Sequence, residues 1–281
     1  MKRFCIIGHP ISHTLSPLMY GETFKQLALE ASYEAVDVEP DRLQERVDEL
    51  VRAGFSGFNV TVPHKEAIMT LLDTLEPAAA KIGAVNTVSI KQNKLQGYNT
   101  DAYGALRLIE PLRERIDGRA VLMIGAGGSA RAVLYTLLTS FQPAQVTVIT
   151  RTLSRALDLA DRFQALSPNV PLRSADASHE AFRREIDAAS VVVNTSPVGM
   201  YPRVEDSPVP DEISFRSDQA VIDLIYTPRE TKLLRRAAAS GAKTVAGLDM
   251  LLHQGARACK IWTGAQMPID HLRPLLLEAL S

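Results

Sequence analysis

The chain is poor in the residues that mark several classes of protein. It carries only two cysteines in 281 residues, Cys5 and Cys259, too few for a disulfide framework or a cysteine-built metal cluster. Each sits in an apolar pattern and reads as a small buried hydrophobe. Neither sign of charge dominates, with 31 basic against 32 acidic residues, and no stretch is strongly basic. A nucleic-acid footprint and an anionic membrane surface are therefore not indicated. Long apolar runs are missing too: the opening "MKRFCIIGHP" reaches a histidine and a proline too soon for a signal-peptide core or a membrane span. The expectation is a cytoplasmic protein with a small-molecule partner, no membrane and no nucleic acid. Internal repeats and low-complexity segments are also absent. Monomer and homodimer both remain open, because composition locates no exposed apolar patch.

What is present suits two packed cores, with 46% hydrophobic and 22% charged residues. Apolar runs at 3–8, 33–38 and 55–62 alternate with helical stretches in a βαβ rhythm. The clearest helix is "DRLQERVDELVRAG", where Leu43, Val47, Leu50 and Val51 share a face and Gly54 follows the end. "NTVSI" and "KLQGYNT" read as a hairpin, followed by the helical "AYGALRLIEPL". At Ala120 the pattern restarts with "AVLMI", and apolar runs at 145–149, 190–193 and 221–225 continue it, with helices near 153–166 and 230–239. The boundaries expected are residues 1–105, 106–243 and 244–281. The last segment is helical and apolar on one face, with no sheet of its own to complete. The fold class expected is α/β, with two domains and C-terminal helices returning to the first.

"NVTVPHKE", residues 59–66, reads as a strand of alternating polar and apolar residues that ends at Pro63. That pattern would place Asn59, Thr61 and Lys65 on one side. "SHTLSP", "GAVNT" and "YNTD" are further polar clusters at strand ends, where ligand sites of α/β folds collect. Singly, each has an ordinary reading as a turn or a solvated residue.

The cluster "GAGGSA", Gly125, Ala126, Gly127, Gly128, Ser129 and Ala130, lies between a buried strand and a helix. In that context glycines permit a tight turn and close backbone approach to a pyrophosphate, while the helix N-terminus supplies N–H donors. A Rossmann-type dinucleotide domain follows. The next strand ends in "TRTLSR", with Thr150, Arg151, Thr152 and Arg155 but no carboxylate to hold a ribose 2′-hydroxyl. Arginine suits a 2′-phosphate, so NADP is favoured over NAD.

Together, "GHPISHTLSPLM", "NVTVPHKE", "IGAVNT", "GYNTDAYG", "IGAGGSARA", "TRTLSRA", "NTSPVGM", "DLIYTPRETKLL" and "GLDMLLHQGARACKIWTG" closely resemble the shikimate dehydrogenase family over nearly the whole chain. The resemblance implies an N-terminal substrate domain, a Rossmann-type NADP domain, and reversible NADP-linked oxidation of shikimate to 3-dehydroshikimate. It further implies that Lys65 is the catalytic lysine, with Asp101 as its partner on the substrate. Thr14 and Ser16 match the hydroxyl pair that takes the substrate carboxylate. Asn59, Thr61 and Asn86 match positions lining the site, Tyr226 and Gln254 match further substrate contacts, and Leu224 and Gly247 match positions near the nicotinamide. No metal is implied.

Departures from the family pattern are local. Thr14 stands where serine is more frequent, keeping the hydroxyl and adding a methyl group that can alter the choice between shikimate and quinate. Thr150 replaces an asparagine and Ala102 a glycine. His13 and His64 adjoin the site, and histidine titrates near neutrality, yet neither occupies a matched catalytic position. Competing readings are a quinate/shikimate dehydrogenase that also accepts NAD, a non-catalytic NADP-binding regulator, and a methylenetetrahydrofolate dehydrogenase. The absence of an acid after residue 149 opposes the first, the presence of Lys65 and Asp101 the second. "SHTLSP" and "NTD" oppose the third.

Overall fold

A computed structural model describes residues 1–12 and 14–280; His13, weighed above for proton transfer, lies outside the described residues. In chain order the strands are β1 Lys2–Gly8, β2 Ala31–Asp37, β3 Gly57–Val60, β4 Thr74–Leu75, β5 Thr87–Lys91 and β6 Lys94–Tyr98. β7 Ala120–Ile124, β8 Gln145–Thr150, β9 Leu172–Asp176, β10 Val191–Asn194, β11 Ala220–Asp223 and β12 Lys243–Ala246 follow. The helices are α1 Ser16–Gln26, α2 Leu43–Arg52, α3 Pro77–Ile82, α4 Asp101–Ile109, α5 Arg113–Ile116 and α6 Gly128–Ser140. They continue as α7 Leu153–Gln164, α8 His179–Ala188, α9 Lys232–Ala239, α10 Leu248–Thr263 and α11 Ile269–Ala279. Two compact units result: Met1–Gly104 with Leu251–Ala279, and Ala105–Met250.

The first unit holds a six-stranded sheet in the order β2-β1-β3-β5-β6-β4. β1 pairs in parallel with β2 and β3, while β3–β5 and β5–β6 are antiparallel. The apolar stripe of α2 is consumed by Leu43, Val47 and Leu50, which pack with Phe55 and Phe58. Gly54, at φ 75°, turns the chain after that helix. The β5–β6 hairpin is closed by Gln92 and Asn93, both at positive φ, the geometry a two-residue turn needs to match strand twist.

"NVTVPHKE" departs from its expected form. β3 stops at Val60, and all four of its residues are buried, because a central strand is covered on both faces and does not express an alternating pattern. Thr61 still donates its N–H to Ile7, but the chain then turns, and Val62 is 57% exposed.

Trp262, near the end of α10, docks on this sheet. Its ring stacks on Phe4 at 4.8 Å between centroids, and its Nε1 donates to the Val88 carbonyl at 3.0 Å. It lies so close over Gly57 that any side chain there would collide with the indole.

The second sheet runs β12-β11-β10-β7-β8-β9 and every pair in it is parallel. This is the doubly wound order, reversing between β7 and β10, where ligands of such sheets bind beyond the strand ends. Its two faces are covered by separate apolar clusters, one including Val133, Leu137, Leu159 and Phe163, the other Phe182, Ile186, Leu233 and Leu234. The expected boundary at residue 243 is corrected: β12 completes this sheet and the unit extends to Met250. "KTVA" is short and partly exposed at an edge, so it produces no apolar run to read. The edge strand β9, also partly exposed, was missed for the same reason.

Asn194 and Asp223 are cross-strand neighbours at the ends of β10 and β11, and neither is exposed. Burial pushes the Asp223 carboxyl up to about 6, against the opposing effect of hydrogen bonds from Thr231, the Ile225 N–H and Asn194.

Two stability outcomes are expected. Trp262→Ala should cost about 3–5 kcal/mol in urea unfolding; a cost below about 1 kcal/mol would mean that the indole does not hold α10 to the sheet. Because the folded Asp223 carboxyl titrates above its ordinary value, its contribution is fully present below the ordinary carboxyl range and is lost as pH rises through about 6. Asp223→Asn should therefore gain on the native protein by about 2 kcal/mol between pH 4 and pH 8. A difference independent of pH would refute this.

Candidate active site

In the first unit, four separate segments deliver one polar web. Lys65 lies in the turn beyond β3, fixed by its carbonyl accepting from the Val85 N–H at 2.7 Å. Its Nζ donates to Asp101 Oδ2 at 2.6 Å, and both side chains are nearly buried. Asp101 opens α4, where the helix N-terminus favours a carboxylate. Asn99 fixes that turn, accepting from the Ala102 N–H at 3.1 Å and donating to the Ala84 carbonyl at 2.8 Å.

Asn86 joins the pieces. Its Nδ2 lies 2.8 Å from Asp101 Oδ1, 2.9 Å from Thr100 Oγ1 and 3.2 Å from Gln254 Oε1, three acceptors for two hydrogens. Its Oδ1 accepts from the Thr100 N–H at 2.7 Å. Gln254, on α10, is held by donating to the Leu251 carbonyl at 2.9 Å. The C-terminal helices thus bring Gln254 into the same web as Lys65, Asp101 and Asn86.

Asn59, expected among the substrate contacts, is buried and hydrogen-bonded to its neighbours. It donates to the Asn86 carbonyl and to Thr87 Oγ1, and accepts from the Tyr33 hydroxyl at 2.7 Å. With both amide hydrogens taken in a buried position, it braces the backbone of Asn86. His64 is likewise spent: it is buried, and its Nε2 donates to the Val38 carbonyl at 2.7 Å. Thr61 makes no side-chain hydrogen bond among the described residues. Its methyl group presses on Gly8, where an added Cβ would overlap it. Thr14 and Ser16 come together at the start of α1, with Thr14 Oγ1 donating to Ser16 Oγ at 3.2 Å and accepting from the Ser16 N–H at 3.3 Å.

In the second unit the glycine loop sits as its spacing implies. Gly125, at φ 109°, is packed against Thr195, and its conformation disfavours any side chain. Gly127 caps α6 and faces open space, with nothing within 4 Å of where its Cβ would be. Gly128 and Ser129 begin the helix, and Ala130 is fully buried on its inner face. Open space before a helix N-terminus fits a pyrophosphate.

Beyond β8, the Thr150 hydroxyl accepts from the Thr152 N–H at 2.9 Å and shapes the turn. Arg151 and Arg155 are exposed, make no ion pair among the described residues, and have no acid beside them in the first turn of α7. That cationic, acid-free turn fits a ribose 2′-phosphate.

Leu224, Tyr226 and Gly247 also belong to this unit. The Leu224 carbonyl lies where a Gly247 side chain would begin, and the Gly247 N–H donates to the Ile225 carbonyl at 3.3 Å. Sequence reasoning passed over Thr100, Thr87, Tyr33, Asn194 and Asp223. Thr87, Thr100, Asn194 and Asp223 stand inside quoted motifs, "GAVNT", "YNTD", "NTSPVGM" and "DLIYTPRETKLL", which was the available signal.

Comparison with known proteins gives the family of the chain. Family models match for the shikimate dehydrogenase substrate binding domain over residues 6–88, shikimate / quinate 5-dehydrogenase over 107–229, and the shikimate 5'-dehydrogenase C-terminal domain over 247–277. The shikimate dehydrogenase (NADP(+)) of Moorella thermoacetica is 43% identical over 278 residues, covering 98% of this chain and 92% of its own. Shikimate 5-dehydrogenase from Thermus thermophilus, solved in complex with NADP(H) and shikimate, matches with a TM-score of 0.84 at 39% identity over 100% of both chains. Quinate dehydrogenase from Corynebacterium glutamicum, solved with NAD, matches with a TM-score of 0.86 at 30% identity over 99% of each chain. With near-complete coverage at 43% identity and family models spanning both units, the chain belongs to the shikimate dehydrogenase family.

Proposed function

We propose that the protein catalyses the reversible NADP-linked reduction of 3-dehydroshikimate to shikimate, the step serving aromatic amino-acid biosynthesis. The observation that carries this reading is the buried Lys65–Asp101 pair at 2.6 Å, set in a unit that matches the substrate-binding domain of the family.

NADPH supplies the hydride when bound; the residues supply the rest. Reduction of a ketone to an alcohol needs a proton on the oxygen as hydride reaches carbon. Lys65 is the donor in that direction, and its ammonium stabilises the developing alkoxide. In the oxidative direction the same amine accepts the proton. Asp101 holds Lys65 in place through the 2.6 Å hydrogen bond and shares the substrate end with it. Asn86 orients Asp101, and Gln254 and Thr61 offer polar groups to the ring hydroxyls, with Tyr226 as a further contact. Thr14 and Ser16 bind the carboxylate through hydroxyl donors. The loop from Gly125 to Ala130 binds the pyrophosphate, and Arg151 and Arg155 bind the 2′-phosphate, helped by the Thr150–Thr152 turn. Leu224 and Gly247 bear on the nicotinamide. Every group named comes from one chain, so monomer and homodimer both suit the activity. Buried, unpaired Cys5 and Cys259 suit a reducing compartment, and we take the enzyme to act in the cytoplasm.

Initial rates with shikimate and quinate, each with NADP and NAD, test the reading; strong preference for shikimate with NADP is expected. Comparable turnover of quinate with NAD would transfer the protein to quinate oxidation, and no turnover at all would leave a binding protein. Lys65→Ala should lower kcat by about 10²-fold or more with little change in shikimate KM, as for an acid–base group; an unaltered kcat removes Lys65 from the chemistry. Joint replacement of Arg151 and Arg155 by alanine should raise KM for NADP about 10-fold or more and leave that for NAD nearly unchanged. Equal effects on both cofactors would contradict the assignment to the 2′-phosphate.

A further inference from the structure

Asp223 is a fully buried carboxylate that the chemistry above does not use. It terminates β11, a strand of the doubly wound sheet, at the end where ligands bind. Its two oxygens collect three donors from three places. Oδ1 accepts from Asn194 Nδ2 at 3.0 Å and from the Ile225 N–H at 3.1 Å, and Oδ2 accepts from Thr231 Oγ1 at 2.7 Å. Thr231 is the N-cap of α9, accepting from the Leu234 N–H at 3.3 Å. The carboxylate therefore ties both ends of the segment 224–231 to one point.

The same point reaches the neighbouring loop. Asn194 Oδ1 accepts from the Ser196 hydroxyl at 2.7 Å and the Ser196 N–H at 3.0 Å, and its backbone carbonyl accepts from the Leu224 N–H at 3.1 Å. The outer edges of segment 224–227 are also held through backbone: the Ile225 carbonyl accepts from the Gly247 N–H and the Thr227 carbonyl from the Tyr201 N–H, each at 3.3 Å. An apolar residue at 223 would avoid the cost of burying a carboxylate, but it would leave the Ile225 N–H and the Thr231 hydroxyl without this acceptor and the Asn194 amide with only the longer bond to the Val198 carbonyl at 3.4 Å. The placement is thus explained by what the carboxylate holds, and that segment contains Leu224 and Tyr226.

We infer that Asp223 is a positioning residue for hydride transfer, setting Leu224 and Tyr226 through its hydrogen bonds to Asn194, Ile225 and Thr231. The inference rests on the functional reading above. Asn at 223 preserves an acceptor toward Asn194 and Ile225 and offers a donor to the Thr231 oxygen, so geometry and not charge is what the position requires.

The test compares Asp223→Ala with Asp223→Asn. Asp223→Ala should lower kcat by about 10²-fold, the effect of a small misplacement of reacting groups, while KM for NADP, set at the glycine loop and the arginines, changes little. Asp223→Asn should recover most of the loss. If Asp223→Ala does not fold, Thr231→Val, which removes the donor to Oδ2 together with the side-chain cap of α9, should show the same split in milder form. Hydrogen exchange of residues 224–227 in the cofactor-free protein adds a readout independent of substrate identity, with faster exchange expected in Asp223→Ala and native exchange in Asp223→Asn. Native kcat in Asp223→Ala, a loss that Asp223→Asn fails to recover, or unchanged exchange would each overturn the inference. Absence of shikimate turnover in the native protein, together with loosened exchange in Asp223→Ala, would sink the functional reading and leave the anchoring of the segment standing.

Discussion

The first unit depends on burying an ammonium and a carboxylate side by side. Removing two charges from water costs several kcal/mol each, and their attraction repays this only when geometry is good and the remaining hydrogen-bonding capacity is filled. Lys65 and Asp101 meet at 2.6 Å, and the second oxygen of Asp101 is filled by Asn86. That requirement explains why the surrounding elements end where they do. β3 stops at Val60, so the chain can turn and present Lys65; α4 begins at Asp101, so a helix N-terminus faces the carboxylate; α10 runs through Gln254, closing the web.

A comparable constraint organises the second unit, with a different solution. Parallel strands buried on both faces carry almost no polar side chains, so polar groups concentrate at strand ends. Two of them, Asn194 and Asp223, form a pair that faces loops instead of a counter-charge. Among the described residues no cation offsets the desolvation of that carboxylate, so burial dominates and raises its titration to about 6. In each unit a buried acid organises loops; in the first it is also paired with a lysine amine.

Much of this was legible in the sequence because it rests on local signals. The fully apolar "AVLMI" followed by glycines specified a buried strand, turn and helix. The stripe of Leu43, Val47 and Leu50 specified α2, and "KQN" between two β-rich runs specified the hairpin. What escaped was decided by position in the sheet. "KTVA" and "LRSAD" are edge strands, half-exposed and short, so their composition differs little from that of a loop. "NVTV" showed an alternation that burial on both faces of a central strand erased.

The candidate site divides along a line that residue type does not draw. Asn59, His64, Thr61 and Asn86 are polar residues near the same strand ends, and a sequence treats them alike. Hydrogen bonding separates them. A ligand can be held only by groups with capacity to spare, and a buried polar group with its capacity filled is part of the scaffold. Asn59 spends both amide hydrogens on Asn86 and Thr87, and His64 spends its Nε2 proton on the Val38 carbonyl. Thr61 keeps its hydroxyl, while Asn86 divides two hydrogens among three acceptors and can redirect one. Arg151 and Arg155 lie exposed beside an acid-free helix start. By this measure Asn59 and Asp223 belong to the scaffold, whereas Thr61, Arg151 and Arg155 keep capacity that a bound molecule could take.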